Sequence, residues 1–515
     1  MGLYDRKDYR NAAATFDKIY SLNISANKLY DGACIYALNG EKQKAFDVLF
    51  RLAEKEFYSN LEHISKDGDL NSLHEDVKWP LLLEKIKVNK DTREQRKLTT
   101  IYDELNKAKQ LLEADAGRLW GSSIWDDCIL VLDFDNTVYS IKVFPGSRSD
   151  DGKLYYAKVA PGTLTFVNTV QSYQGKSYAV VMINYLSDNS ITIIHELFHL
   201  LQFKVRKLNG DAIKYLDNYD ARELLRLEYH ALRTALHEAR EKSSIKKINN
   251  SIADALRFRK IRQAHYKSYL QNEIEIETLE GLANYTGFAL SSKSDKLSEA
   301  IDEIYQRENA QTYTRPFPYA TGVAYGLLFD YLGIRWKTGL DSVYNFLTIY
   351  EKAQKIAIDT SEASIKKARS VQNYIEIHKE EEDRRIQNEK LIAYYRNLLH
   401  DSPTLRVEIS DIEHYGRTFN MNGTIELKGL GTVYSSITGR DKSGKSFGSF
   451  KTIEDKSVLG NAGILMLSDD KTLVFPAPFK VQGNKIIGDT YEIELNEGWG
   501  IEKSGETGNY IILKK

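Results

Sequence analysis

Two histidines and a glutamate lie together in an apolar stretch, in a pattern that suits a metal ion. Residues 191–200 read Ile-Thr-Ile-Ile-His-Glu-Leu-Phe-His-Leu, so His195 and His199 are four positions apart. On a helix, residues with this spacing lie on one face, and both imidazoles can therefore reach one ion. Neutral imidazole nitrogens suit Zn²⁺. Glu196 lies beside the first histidine, where it can act on a water molecule at that ion.

A catalytic zinc site needs a third protein ligand, and residues 277–285 offer two glutamates. They read Glu-Thr-Leu-Glu-Gly-Leu-Ala-Asn-Tyr. With His-Glu-x-x-His, this Glu-Gly-x-Ala-x-Tyr frame resembles the gluzincins, the thermolysin-like and aminopeptidase-N-like zinc peptidases. The resemblance implies that Glu280 is the third ligand and that Asn284, one helical turn later, orients a ligand histidine. Glu277, three residues earlier on the same face, is the rival ligand.

The spacing of the proposed ligands departs from the aminopeptidase-N-like pattern, in which the glutamate follows the second histidine much sooner. Here residues 200–279 intervene, and they are strongly helical in pattern. A helical hairpin can be inserted without moving its two ends far apart. We therefore expect the ligands to meet despite the insertion.

A tyrosine that assists catalysis is also implied by the resemblance. Tyr319-Ala-Thr-Gly resembles the segment whose tyrosine donates a hydrogen bond to the oxyanion in aminopeptidase-N-like enzymes. Tyr319 is therefore the expected oxyanion stabiliser. Three other residues are rivals for this role: Tyr325, His230 and His237.

The segment before the metal helix bears on how substrate binds. Residues 178–185 lie where gluzincins place an edge strand that hydrogen-bonds an extended substrate. Within it, Met182-Ile183-Asn184 has isoleucine in place of the glutamate that binds a free amino terminus in the Met-Glu-Asn signature of the aminopeptidases. We therefore expect an endopeptidase more than an aminopeptidase.

The chain as a whole is expected to be multidomain, with three domains. Residues 1–90 are predicted to form an α-helical repeat domain and residues 91–402 a mixed α+β gluzincin metallopeptidase domain. Residues 403–515 contain many glycines and short alternating runs, which are typical of an antiparallel β domain.

The repeat is visible in the first 57 residues as an offset of 33 positions. It relates three apolar or small residues to three others: Ala12, Phe16 and Ile19 to Ala45, Leu49 and Leu52. This pattern resembles the tetratricopeptide repeat and implies a surface for a protein partner. Residues 4–23 match mainly the second helix of a repeat. We therefore expect that Met1 is an expression start and that a secretion signal preceded it, so the expected location is periplasmic or secreted, with a cytoplasmic location left open.

Composition argues against several other classes of protein. Lys+Arg 71 and Asp+Glu 72 leave a net charge of -1, which argues against a nucleic-acid binder held by a basic field. No uncharged apolar run reaches the roughly 18–20 residues that span a bilayer. The two cysteines, Cys34 and Cys128, cannot build a disulfide framework or a cysteine zinc site.

Two segments imitate phosphate-handling motifs. Residues 439–446 satisfy the P-loop pattern letter for letter, and residues 130–138 match the haloacid-dehalogenase nucleophile motif. A P-loop needs a helix N-terminus after it, but strand-like sequence follows both segments. Both are therefore expected to be β-turns.

Together these patterns predict a zinc metalloprotease with one Zn²⁺ per chain, acting on a peptide or protein substrate. A second function stays open: a repeat-containing binding protein with a structural zinc in a peptidase-like domain. Glu196 discriminates between them, because an inactive relative has no need to keep the general base.

Overall fold

The computed structural model describes residues 7–20, 26–185, 187–419, 424–453, 463–505 and 508–515. The chain divides into two compact units, each built from several segments. Unit 1 comprises Met1–Gly210, Ile274–Ala300 and Tyr325–Asn345, and unit 2 comprises Asp211–Glu273, Ile301–Ala324 and Phe346–Lys515. The protein is multidomain, with helical N-terminal and central regions and a C-terminal β region, as predicted. The boundaries at residues 90 and 402 stay predictions.

The described residues of unit 1 begin with six α-helices. They are α1 (Tyr9–Ile19), α2 (Ala26–Leu38), α3 (Lys42–Lys55), α4 (Leu61–Lys66), α5 (Lys78–Asp91) and α6 (Arg93–Asp115). Among them, α2 packs against α1 and α3, and α5 packs against α3, α4 and α6. The Asp8 side chain caps α1 by accepting a hydrogen bond from the backbone N–H of Asn11. A Cβ at Gly32 of α2 would lie 2.1 Å from the Phe16 ring of α1, so the missing side chain permits this close packing. The helical arrangement agrees with the repeat pattern, while its assignment to the tetratricopeptide family stays a prediction.

A five-stranded sheet follows in unit 1, with the strand order β3-β2-β1-β5-β4. The strands are β1 (Ile129–Leu132), β2 (Thr137–Ser140), β3 (Tyr155–Lys158), β4 (Thr169–Tyr173) and β5 (Lys176–Val181). β1 and β5 pair in parallel, and the other neighbours are antiparallel.

The prediction of an edge strand at residues 178–185 is wrong for β5. This strand lies inside the sheet, between β1 and β4. The reason is the turn at Gln174 and Gly175, whose φ angles of 47° and 79° suit a tight hairpin. The turn folds β4 back along β5, so β4 is the edge strand on this side.

Helices dominate the chain between this sheet and the C-terminal β region. They are α7 (Ser190–Val205), α8 (Tyr219–Arg240), α9 (Ile245–His265), α10 (Leu270–Ile276), α11 (Leu282–Leu290), α12 (Lys296–Glu308), α13 (Phe317–Tyr331), α14 (Phe346–Gln354), α15 (Glu362–Val371) and α16 (Tyr374–Arg396). In unit 1, α7 packs against β5, β4, α6 and α11. In unit 2, α8 packs along α9 as a helical hairpin. A π-helical turn, Glu277–Gly281, joins α10 to α11.

The C-terminal part of unit 2 consists of two sheets with the strand orders β14-β15-β16-β11-β10-β7 and β17-β18-β6-β13-β12-β9-β8. The strands are β6 (Thr404–Glu408), β7 (Tyr415–Phe419), β8 (Thr424–Leu427), β9 (Gly431–Tyr434), β10 (Ile437–Asp441), β11 (Gly448–Thr452), β12 (Ile464–Leu467), β13 (Thr472–Pro476), β14 (Phe479–Gln482), β15 (Lys485–Gly488), β16 (Tyr491–Leu495), β17 (Trp499–Ser504) and β18 (Asn509–Lys514). All neighbouring strands are antiparallel except β18 and β6. Phe450 of β11 and Phe475 of β13 meet in one core with ring centroids 5.6 Å apart, so side chains from both sheets bury each other.

Both phosphate-motif imitations are hairpin turns. Between β10 and β11, the Asp441 carboxylate accepts hydrogen bonds from the backbone N–H groups of Ser443, Gly444 and Ser446 at 2.9, 3.1 and 2.7 Å. The Asp441 carboxylate thus binds the backbone N–H groups that would bind a phosphate in a P-loop. Between β1 and β2, the N–H of Asn136 donates to the Asp133 carbonyl at 2.9 Å, closing a turn.

Within the described ranges, no helix combines the length and the apolar character needed to cross a membrane.

Candidate metal centre

The helix that carries the histidines, α7, is buried on several faces. Asp188, just before it, accepts a hydrogen bond from the backbone N–H of Ser190 at 2.8 Å. Burial opposes ionisation of Asp188, but hydrogen bonds to its carboxylate outweigh this and lower its pKa. Four apolar side chains of α7 are fully buried: Ile193, Ile194, Leu197 and Phe198. Because β5, α6 and α11 surround this helix, its histidines are held on rigid elements.

His195 and His199 project from one face of α7, as their spacing predicts. Both are buried, and their ring centroids lie 4.6 Å apart with the planes nearly perpendicular. The π-helical turn brings Glu280 to the same place. Its Oε2 lies 3.4 Å from Nε2 of His195 and 3.2 Å from Nε2 of His199.

The donor atoms of these three residues fit a zinc ion. Tetrahedral coordination with metal–ligand distances of about 2.0–2.1 Å spaces neighbouring donors about 3.3 Å apart. The two measured separations, 3.2 and 3.4 Å, agree with this spacing. His195, His199 and Glu280 thus form a group that can hold a metal.

The rival glutamate does not belong to this group. Glu277 is buried at the start of the π-helical turn, whereas the metal-capable set contains Glu280. Burial acts to raise the pKa of Glu280, but the hydrogen bonds that its carboxylate accepts from the two imidazoles, and their charge, outweigh this and hold its pKa far below the usual range. Glu280 is therefore an anion, the form that binds metal.

Glu196 completes the centre as a carboxylate with an unused acceptor. Its Oε1 lies 4.0 Å from Nε2 of His195. Its Oε2 is buried and has no hydrogen-bond partner among the residues that the structure describes. Burial raises the pKa of Glu196 above the ordinary range of a glutamate. Because an unsatisfied buried acceptor is costly, this oxygen is suited to accept a hydrogen bond from a water molecule or a substrate.

The long insertion leaves the centre intact, as predicted. Near the two ends of the inserted stretch, the backbone N–H of Asn209 donates to the carboxylate of Glu275 at 3.3 Å. Gly210 also packs against Leu279, since a Cβ added at Gly210 would lie 3.2 Å from the Leu279 side chain. The two ends of the insertion are therefore neighbours within unit 1.

Gln202 is a residue of the centre that sequence reasoning missed. It lies three positions after His199 on α7, and its Oε1 is 2.9 Å from Nδ1 of that histidine. The available signal was this spacing, since residues three apart on a helix are neighbours. Asn284 is buried on α11, and its contact with a ligand histidine stays a prediction.

The predicted oxyanion residue lies in unit 2. Tyr319 is in the first turn of α13, and the guanidinium of Arg307 lies 4.7 Å from its ring centroid. Its rival Tyr325 is fully buried, and His230 pairs with Gln372 at 3.0 Å. The catalytic role of Tyr319 stays a prediction.

A second group of side chains is less suited to zinc. Cys34, Asp67 and Asp69 offer ligand atoms close to one another. Burial and the neighbouring carboxylates raise the pKa of the Cys34 thiol well above its usual range, which opposes the thiolate that a metal needs. Asp67 already accepts hydrogen bonds from the Tyr30 hydroxyl and the Asp69 amide.

Comparison of the chain with protein-family models, curated proteins and solved structures returns no match.

Proposed function

We propose that this protein is a zinc metallopeptidase with one Zn²⁺ per chain, more an endopeptidase than an aminopeptidase. The observation that carries the proposal is the convergence of three donor atoms, from His195, His199 and Glu280, beside the unsatisfied carboxylate of Glu196. This set of two imidazoles and one carboxylate is typical of catalytic zinc sites, which keep a further position for water or substrate.

Each side chain of the centre has a defined task in hydrolysis. When bound, zinc acidifies a water molecule and polarises the scissile carbonyl. His195, His199 and Glu280 would hold the metal, the glutamate as an anion. Glu196 takes the proton of the attacking water as general base and later delivers it to the leaving amine. Tyr319 is the proposed donor to the oxyanion.

Substrate binding is assigned to the edge strand β4. Among the described strands, β4 pairs only with β5, so its other side offers backbone groups to an extended peptide. α7 packs against both strands. A peptide added to this edge would therefore lie on the same sheet that supports the metal helix.

A structural zinc in a binding protein is the second candidate function. Structural sites are usually closed by four protein ligands, whereas the group on α7 and the π-helical turn comprises three residues in the described part of the chain. Glu196 also favours catalysis, because a structural site has no use for a buried carboxylate aimed at it. The helices α1 to α5 are proposed as a docking surface for a protein partner.

The test measures metal content and peptide hydrolysis on the full chain. Protein purified without chelator should contain about one zinc per chain, lost on chelation together with hydrolysis of a mixed peptide library. Glu196→Gln should keep the zinc and lose hydrolysis by a factor of about 10² or more, since it removes the base. Glu113→Gln on the exposed face of α6 is the matched control. Near-normal turnover of Glu196→Gln would contradict the mechanism, and zinc content near zero would contradict the metal site.

A further inference from the structure

Gln202 contacts both halves of the metal centre through one buried amide. Its Oε1 lies 2.9 Å from Nδ1 of His199. Its Nε2 donates to the carbonyl oxygens of Thr278 and Leu279 at 2.9 and 3.2 Å. The residue is 4% exposed, so water competes little for these bonds. The amide therefore joins a ligand histidine to the backbone of the turn that presents Glu280.

These contacts determine the orientation of the amide and the tautomer of the histidine. Carbonyl oxygens only accept hydrogen bonds, so the NH₂ group of Gln202 must face Thr278 and Leu279. The amide oxygen then faces His199, and Nδ1 of that ring must carry the proton. With the proton fixed at Nδ1, Nε2 is the nitrogen left to bind a metal, and it lies 3.2 Å from Oε2 of Glu280. A metal ligand needs this tautomer.

The carbonyl groups that Gln202 binds belong to the π-helical turn Glu277–Gly281. A π-helical turn departs from the regular i to i−4 hydrogen-bond pattern, and its buried carbonyls need donors. The Gln202 amide supplies a donor to two of them. On the Thr278 side chain, Oγ1 accepts a hydrogen bond from the backbone N–H of Tyr344 at 2.9 Å. The turn is thus fixed from two directions.

We propose that Gln202 is a positioning residue of the metal centre, which sets the tautomer of His199 and holds the turn of Glu280 against α7. The inference rests on the zinc function proposed above. It accounts for how His199 and Glu280, 81 positions apart in the chain, keep the spacing that a zinc ion requires. When two ligands are close in sequence, the short connection between them fixes their distance. Here the hydrogen-bonded amide of Gln202 fixes it.

Two variants separate the tasks of Gln202. Gln202→Met removes all three hydrogen bonds, whereas Gln202→Glu keeps an acceptor for His199 but cannot donate to the two carbonyls. We expect Gln202→Met to raise the zinc dissociation constant roughly 10–100-fold, the usual effect of losing a partner of a metal ligand. Gln202→Glu should also bind zinc more weakly than the wild type. Competition of the full chain with a chromophoric zinc chelator measures both constants.

The control variant is Gln263→Met in α9. Gln263 is a buried glutamine whose amide donates to Glu273 at 3.1 Å, and its loss should leave the zinc dissociation constant unchanged. A near-wild-type constant for Gln202→Met would overturn the positioning role. If that variant does not fold, the nearly isosteric Gln202→Glu carries the test, and affinity equal to or tighter than wild type would overturn the bridging role.

A double-mutant cycle shows whether Gln202 acts through Glu280. In a Glu280→Ala background the turn presents no ligand, so Gln202→Glu should weaken zinc binding much less than it does in the wild type. If Gln202→Glu reduced zinc affinity by the same factor in both backgrounds, the effect would be general destabilisation, and the inference would be overturned. The cycle is distinct from the test of function. A wild-type chain that binds no zinc would contradict the zinc function itself. If the wild type binds zinc and the Gln202 variants bind it equally well, only the positioning role is contradicted.

Discussion

Two glutamates next to the same imidazoles have opposite electrostatic environments. For Glu196, burial dominates and raises the pKa, and one carboxylate oxygen has no hydrogen-bond partner among the residues that the structure describes. For Glu280, burial also acts to raise the pKa, but the two histidines outweigh it and lower the pKa. The difference agrees with their proposed roles, since a ligand must be an anion and a base must have a free acceptor.

Glu280→Ala should reduce zinc affinity far more than Glu277→Ala. Oε2 of Glu280 lies within 3.4 Å of both imidazole nitrogens. Glu277 is buried in the turn, and its loss is expected to act on stability. Zinc dissociation constants and denaturation midpoints of both variants separate the two effects. The opposite ranking of zinc affinities would move the third ligand by one helical turn and leave the two histidine ligands in place.

At the scale of elements, the centre depends on how closely α11 approaches α7. Gly287 of α11 faces the backbone of Ile191 on α7, and a Cβ there would lie 2.7 Å from its carbonyl oxygen. Only glycine leaves room for this contact without a shift of one helix. The contact lies seven residues after Glu280, so it sets the distance between the turn and the histidines.

Gly287→Ala should force α11 away from α7, at a cost of about 1–3 kcal/mol in stability, and should weaken zinc binding as Glu280 is displaced. Gly32→Ala is the control, because it also overpacks a helix pair, in this case α2 against the side chain of Phe16 on α1. The control should lower stability and leave zinc affinity unchanged. Equal zinc affinity in Gly287→Ala and the wild type would show that the turn is held without this contact.

At the scale of the whole molecule, the insertion between the ligands is a substantial part of unit 2. Its helices α8 and α9 enclose a buried ionic network. Arg262 is fully buried and donates to Glu228 and Glu273 at 2.6 and 2.8 Å, and Arg259 donates to Glu228 at 2.7 Å. Burial acts to raise the pKa of Glu273, but the neighbouring arginines, Arg262 and Arg259, outweigh this and lower it.

Arg262→Met should destabilise the chain by about 3–5 kcal/mol, because it leaves two buried carboxylates without their shared partner. Arg385→Met on α16 removes an arginine that pairs with Glu382 and Glu389 on the protein surface, and exposed pairs contribute little. Chemical denaturation should show a lower midpoint for Arg262→Met than for the wild type. The midpoint of Arg385→Met should be almost unchanged. Similar midpoints for the two variants would mean that the buried network does not support the hairpin.

Much of this protein is determined by short-range patterns in its sequence. Helical periodicity places His195 and His199 on one face, turn residues make hairpins of two phosphate-like motifs, and the helical insertion keeps its ends together. Contacts between distant segments decided the rest. Glu280 and Glu277 lie on one predicted face, and it is the π-helical turn, packed against α7, that brings Glu280 to the imidazoles. The hairpin that pairs β4 with β5 places β5 inside the sheet, and the bonds of Gln202 depend on the approach of residues more than 70 positions away. Such contacts arise from packing, which local periodicity does not encode.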